Sequence, residues 1–314
     1  PSASAARGFF ALALALILGI GAVAIGVAFG GSFNQSLIGG SSESVQWVQA
    51  ISKYVSQLAS AISIGTLVLA AFALSDKSPA LARALRLSAA AAAVWTIAAL
   101  TNFLFTFLSV SGSALSFDNG FGQSLWLFAT DIELGIALAI HLLMAAALTV
   151  LTVAFSSLTA TAFMAAIGLA SLIPLALISH SAGTAGHALA VNALGLHLVA
   201  IVIWVGGLAA LGFLRSKFGS EGNSKELQFQ NVVSRYSTLA LASFVLVAIS
   251  GVASAIVRIE EPSQLISGYG AILGGKIIAL VVLGIFGAAH RLRILTKFET
   301  SAAGSAFFRL AAVE

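Results

Sequence analysis

The chain has 314 residues, of which 59% are hydrophobic and only 8% charged, and its mean hydropathy is +1.05. A soluble domain is nearer a quarter charged, so this composition excludes a soluble enzyme, a disordered chain and a disulfide-stapled secreted domain. There are no cysteines, which removes thiolate metal sites, iron–sulfur clusters and thiol redox chemistry.

What remains is an all-α, polytopic integral membrane protein. The apolar runs are continuous rather than alternating, as transmembrane helices require and barrels do not. A span needs about 20 apolar residues. Eight such runs follow in order: 9–29, 51–74, 87–110, 127–155, 160–178, 190–214, 239–257 and 269–289. The first is expected to be a retained anchor, since it is long for a signal peptide and its removal would break the charge alternation described next.

The basic residues sort to one side. Arg7 precedes the first run, and Lys77, Arg83 and Arg86 lie between the second and third. Arg215, Lys217, Lys225 and Arg235 lie between the sixth and seventh, and Arg291, Arg293 and Lys297 follow the eighth. The intervening loops 30–50, 111–126, 179–187 and 260–268 carry almost no Lys or Arg. The positive-inside rule then makes both ends cytoplasmic. The net charge of +4 is thus a statement about membrane sidedness, and no nucleic-acid partner is expected. The run that opens at 307–314 reads as the start of a ninth span rather than a short amphipathic tail.

Small residues punctuate the spans. Gly26 with Gly30, and Gly270 with Gly274, form GxxxG pairs, and Gly206, Gly207 and Gly212 mark the sixth run. In lipid such positions let helix backbones approach closely. Pro174 is expected to kink the fifth span.

Ionisable groups inside a membrane are costly and are therefore candidates for function. His141 lies near the middle of the fourth span, with Asp131 and Glu133 toward its outer end. If all three ride one helix, the two carboxylates point about 200° apart and neither shares the His141 face. Met144 follows His141 by three residues, and such a pair could offer a nitrogen and a soft sulfur to copper(I). His180 and His187 lie in the outer loop before the sixth span, and His197 lies roughly 10 Å deep in that span. His197 and Trp204 are seven apart and should share a face. Three histidines within residues 180–197, with a nearby carboxylate, would suit a metal or a proton relay. The stretch from Gly270 to Lys276 imitates a phosphate loop, but Ile277 stands where Ser or Thr is needed and no strand precedes it, so no nucleotide is expected.

Several segments resemble the copper-resistance D (CopD) family of membrane proteins. The run LGLHLVAIVIWVGGLAAL at 194–211 resembles that family's helix bearing His and WxGG. RYSTLALASFVLVAISGVASAIVRI at 235–259 and SGYGAILGGKIIALVVLGIFGAAHRLRI at 267–294 resemble the next two helices. The resemblance spans 135–314, while 1–134 matches in hydropathy and layout alone. In some bacteria such a domain precedes a cytochrome oxidase assembly domain of CtaG type. The resemblance implies a non-enzymatic, copper-binding protein of the bacterial plasma membrane. It would serve copper uptake, or delivery toward a respiratory oxidase, with a periplasmic copper protein or that oxidase as partner. His197 would carry over as the helix ligand, with His180, His187, His141, Glu133, Asp131 and Met144 as further candidates. Leu194 stands where the family often has a carboxylate, and Met-rich outer segments are absent, so a His-dominated site is expected. Two other functions fit the same residues: a b-type haem carrier ligated by His141 and His197, and an accessory subunit without bound metal.

Overall fold

The computed structural model describes residues 42–76, 78–178, 187–218, 223–259, 261–266 and 268–294, together with Gly19 and Gly21. These residues form helices and no strand. In order they are α1 (Glu43–Ala73), α2 (Pro79–Ser111), α3 (Asn119–Asp131), α4 (Glu133–Ala154), α5 (Leu158–Ala170) and α6 (Ile173–Leu177). Next come α7 (His187–Ile201), a π-helical turn (Val202–Gly206), α8 (Gly207–Phe218) and α9 (Asn223–Arg258). A 3-10 turn (Pro262–Ile266) then leads into α10 (Gly268–Ile294). Seven stretches among the described residues are long and apolar enough to cross a bilayer: α1, α2, α4, α5–α6, Leu189–Arg215, Gln228–Arg258 and Gly270–Ala289. They correspond to the second through eighth expected spans. The expected first span, the Gly26/Gly30 pair and the 307–314 run lie outside the described residues, apart from Gly19 and Gly21.

Helix α1 lies along α2, and the two are the most extensively packed pair. Their facing lines follow helical spacing: Ser52, Ser56, Ser60 and Ser63 on α1, and Ser88, Ala92, Trp95, Ala99, Asn102 and Thr106 on α2 are all buried. Hydrogen bonds cross the seam at two levels. Gln49 Nε2 donates to Thr106 Oγ1 at 3.1 Å, and the Ser63 and Ser88 hydroxyls lie 3.0 Å apart. The Asn102 Oδ1 atom on this seam is buried without a partner among the described residues. Helix α4 also packs on α2, α5 and the π-turn pack on α1, and α9 packs on α7.

Two expectations change. The fourth span is not one helix. Ile132, at φ −98° and ψ 122°, breaks it into α3 and α4. Asp118 caps α3, its carboxylate accepting the Phe121 N–H at 2.7 Å. Phe128 anchors α3 among Phe103, Phe107 and Leu138, while Trp126 stays exposed. The α3–α4 corner closes because Gly135 has no Cβ to overlap the Phe128 carbonyl. The second change concerns glycine. At Gly274 a Cβ would meet nothing within 4 Å, and at Gly270 it would meet the preceding turn at Leu265 rather than another helix. The close helix approach lies elsewhere, at Gly65 of α1 and Gly206 of the π-turn. A Cβ on Gly65 would sit 2.6 Å from the Gly206 backbone, and one on Gly206 would overlap the Ala61 carbonyl.

The helices also outrun their apolar cores. Arg83 and Arg86 sit on α2, and Arg235 sits on α9 rather than in a loop. Arg235 Nη1 donates to the Phe72 carbonyl at 3.0 Å, placing a cation at the C-terminus of α1 where the helix dipole favours it.

Candidate functional site

His141 is buried on the inward line of α4 with Ala145, Leu148 and Thr152. The Trp95 indole N–H donates to its Nε2 at 2.9 Å, with the rings tilted at a centroid distance of 5.0 Å. Its Nδ1 lies 3.0 Å from the Ser171 carbonyl. An indole only donates and a carbonyl only accepts, so Nε2 carries the lone pair and Nδ1 the proton. Both ring nitrogens are engaged by protein. The Ser171 carbonyl is available because the helix breaks there: α5 ends at Ala170, and Pro174, which has no N–H, opens α6. The expected kink is therefore present, and it supplies the acceptor for His141.

His197 is held differently. It is half-buried on α7, with Nδ1 2.9 Å from Ser250 Oγ of α9. The Ser250 hydroxyl donates to the Leu246 carbonyl of its own helix at 2.6 Å. Its proton is thus committed, and its oxygen is left to accept the Nδ1–H. That tautomer leaves Nε2 with the lone pair. Lys276 of α10 is near enough for its charge to act on the same ring. Trp204 stacks edge-on against Phe244 at 5.6 Å. The π-turn starts between His197 and Trp204, so their seven-residue spacing no longer means one shared helix face.

The remaining candidates do not converge on these rings. Asp131 ends α3 and Glu133 opens α4, so the 200° helix relation between them does not exist. Both are exposed, and Asp131 accepts from Thr130 Oγ1 at 2.5 Å. Met144 is half-buried one turn beyond His141. His187 is the first residue of α7, and His180 lies outside the described residues. Among the described residues no three His, Asp or Glu side chains group closely enough to hold a metal ion.

The partners Trp95 and Ser171 were not singled out from the sequence, and Ser250 entered only as the Ser-Gly of the family resemblance. Trp95 had a usable signal, as a ring with a polar tip set in an alanine run at 89–99. Ser171 had none, because serine in a membrane helix ordinarily bonds its own backbone.

Two family models match the chain. The copper resistance protein D-like N-terminal domain matches residues 41–191, and copper resistance protein D matches residues 230–314. The chain belongs to the copper resistance protein D family. No curated protein and no solved structure matches it. Membership makes this family member a multi-pass membrane protein of copper resistance and homeostasis. The N-terminal-domain match takes in most of the half that the sequence reading placed by hydropathy and layout alone. The His197 helix at 194–211 falls between the two matched stretches.

Proposed function

We propose that this CopD-family protein takes up copper at the outer face of the bacterial plasma membrane and passes it into the helix bundle through His197. The copper then crosses the membrane or is handed to a respiratory oxidase or another copper protein. His180, His187 and Glu133 are the proposed outer capture groups, with copper as cargo and no chemical transformation. The observation that carries this reading is the His197–Ser250 pair. It fixes the ring and, with Nδ1 as the donor to Ser250, puts the lone pair on Nε2, the arrangement by which an outer partner orients a ligating histidine. His141 contributes less to this route, because a metal bond would require displacing Trp95 or Ser171.

The test is metal analysis of the detergent-purified chain after copper exposure. His197→Ala is expected to hold well under the wild-type stoichiometry. Undiminished copper in that variant would remove His197 from the route.

A second reading, an accessory subunit without bound metal, is favoured by the complete engagement of His141 and the exposed apolar length of α10. Copper-free wild-type protein from the same experiment would favour it. The haem reading needs axial bonds from both His141 and His197, and the Trp95–His141–Ser171 arrangement counts against it. A Soret band in the purified protein would restore it.

A further inference from the structure

The span carrying His197 is gripped by two different neighbours. Above the π-turn, α7 is tied to α9 through His197 and Ser250. At the turn itself, Gly206 lies backbone to backbone against Gly65 and Ala61 of α1. The turn from Val202 to Gly206 absorbs one extra residue relative to an α-helix. One residue corresponds to about 100° of rotation. Were the turn to relax to α-helix while Gly206 stayed docked, His197 would swing by about that angle and leave Ser250.

A π-turn opens the regular ladder, and an exposed carbonyl in an apolar span needs another donor. At Trp204 the carbonyl accepts the Gly207 N–H of its own span and, from α9, the Tyr236 hydroxyl at 2.7 Å, which ties the turn to the neighbouring helix. Tyr236 is itself buried, and its ring lies where a Cβ on Gly207 would come within 2.8 Å. Gly207 therefore makes room for the ring that ties the turn to α9. The neighbouring Arg235 bonds the Phe72 carbonyl, so the same stretch of α9 is anchored to the end of α1.

We infer that Tyr236 is a positioning residue: it clamps the π-turn through the Trp204 carbonyl and thereby sets the rotation of His197 toward Ser250. This rests on the copper reading only for its effect on metal. The clamp itself is independent of that reading.

The experiment uses the full chain in detergent, with Tyr236→Phe and Gly207→Ala as two routes to the same loss. The first readout is amide hydrogen exchange across residues 202–208 without metal. Both variants are expected to exchange faster there, with α1 and α2 unchanged. The second readout is copper(II) affinity and the nitrogen signature of bound copper(II) in electron paramagnetic resonance. Affinity is expected to fall about tenfold or more, with the signature altered. Unchanged exchange at 202–208 in a folded variant overturns the clamp. Faster exchange with wild-type copper affinity and signature overturns the positioning role. If His197→Ala binds copper like wild type, the copper reading fails, while the exchange result still decides the clamp. Should Tyr236→Phe not fold, Gly207→Ala gives the same two readouts.

Discussion

Helices α1 and α10 are both apolar enough to span a bilayer, yet 61% of the most apolar window of α1 is buried and none of that of α10 is. The buried helix is the more polar one. Beside Ile64, Leu67 and Leu69 it buries Ser52, Ser56, Ser60, Ser63, Gly65 and Thr66, whereas α10 exposes Ile272, Ile277, Ile278, Val281 and Ile285. In water the order would be reversed, because apolar surface is driven inward. In lipid the tails are as apolar as leucine, so that drive vanishes. Helices are then selected for the interior by close approach and hydrogen bonds, which small and hydroxylated residues provide.

The comparison is broken most sharply at glycine. Gly206→Leu must place a side chain where the Ala61 carbonyl and the Gly65 backbone already lie, and backbone cannot yield as a side-chain tip can. It should cost about 3 kcal/mol or prevent folding, read as the thermal midpoint in detergent. Gly274→Leu on α10 meets open space and should leave the midpoint unchanged. Equal effects at the two positions would remove the distinction between the helices.

A smaller effect is expected at the α2–α4 contact. Trp95→Phe retains a ring but deletes the donor to His141 Nε2, leaving a buried acceptor unpaired. The cost should be about 1–3 kcal/mol. If the midpoint is unmoved, the His141 bond is not what orders that contact.

The smallest effect concerns the outer helix α3, where the chain meets water. The Ser116 hydroxyl, and then the Phe121 N–H, hold the Asp118 carboxyl below its ordinary value. A depressed folded value means the cap stabilises α3 above the unfolded carboxylate pKa and is lost as pH falls through the folded one. The protection of amides 119–124, relative to their intrinsic exchange at each pH, should therefore fall only as pH drops below the usual carboxylate range. In Asp118→Ala it should be low at every pH, with protection in α1 and α2 unaffected.

Much of this was legible in the sequence because it follows from one-dimensional quantities. Apolar length sets the spans, and the seven described ones fall where the sequence put the second to eighth. Pro174 marked a kink because a missing N–H acts wherever proline falls in a helix. The family was legible in the Ser-Gly and GYG stretches, which lie within the matched residues 230–314. The break at Ile132 was not, because an apolar residue with no turn signature interrupts an apolar run, and its cause is Phe128 docking among Phe103, Phe107 and Leu138. The π-turn was not legible either, for it reconciles two contacts made by distant segments.

The sequence by itself determined that this is an all-helical membrane chain of the copper resistance protein D family, without cysteine. Only the tertiary structure decided what each histidine ring meets. His141 and His197 are the same residue in similarly apolar helices. One meets an indole donor and a carbonyl, and the other meets a serine whose proton is already spent. A ring's availability depends on what neighbouring helices bring to its second nitrogen, and that is fixed by packing between segments 30 to 53 residues apart.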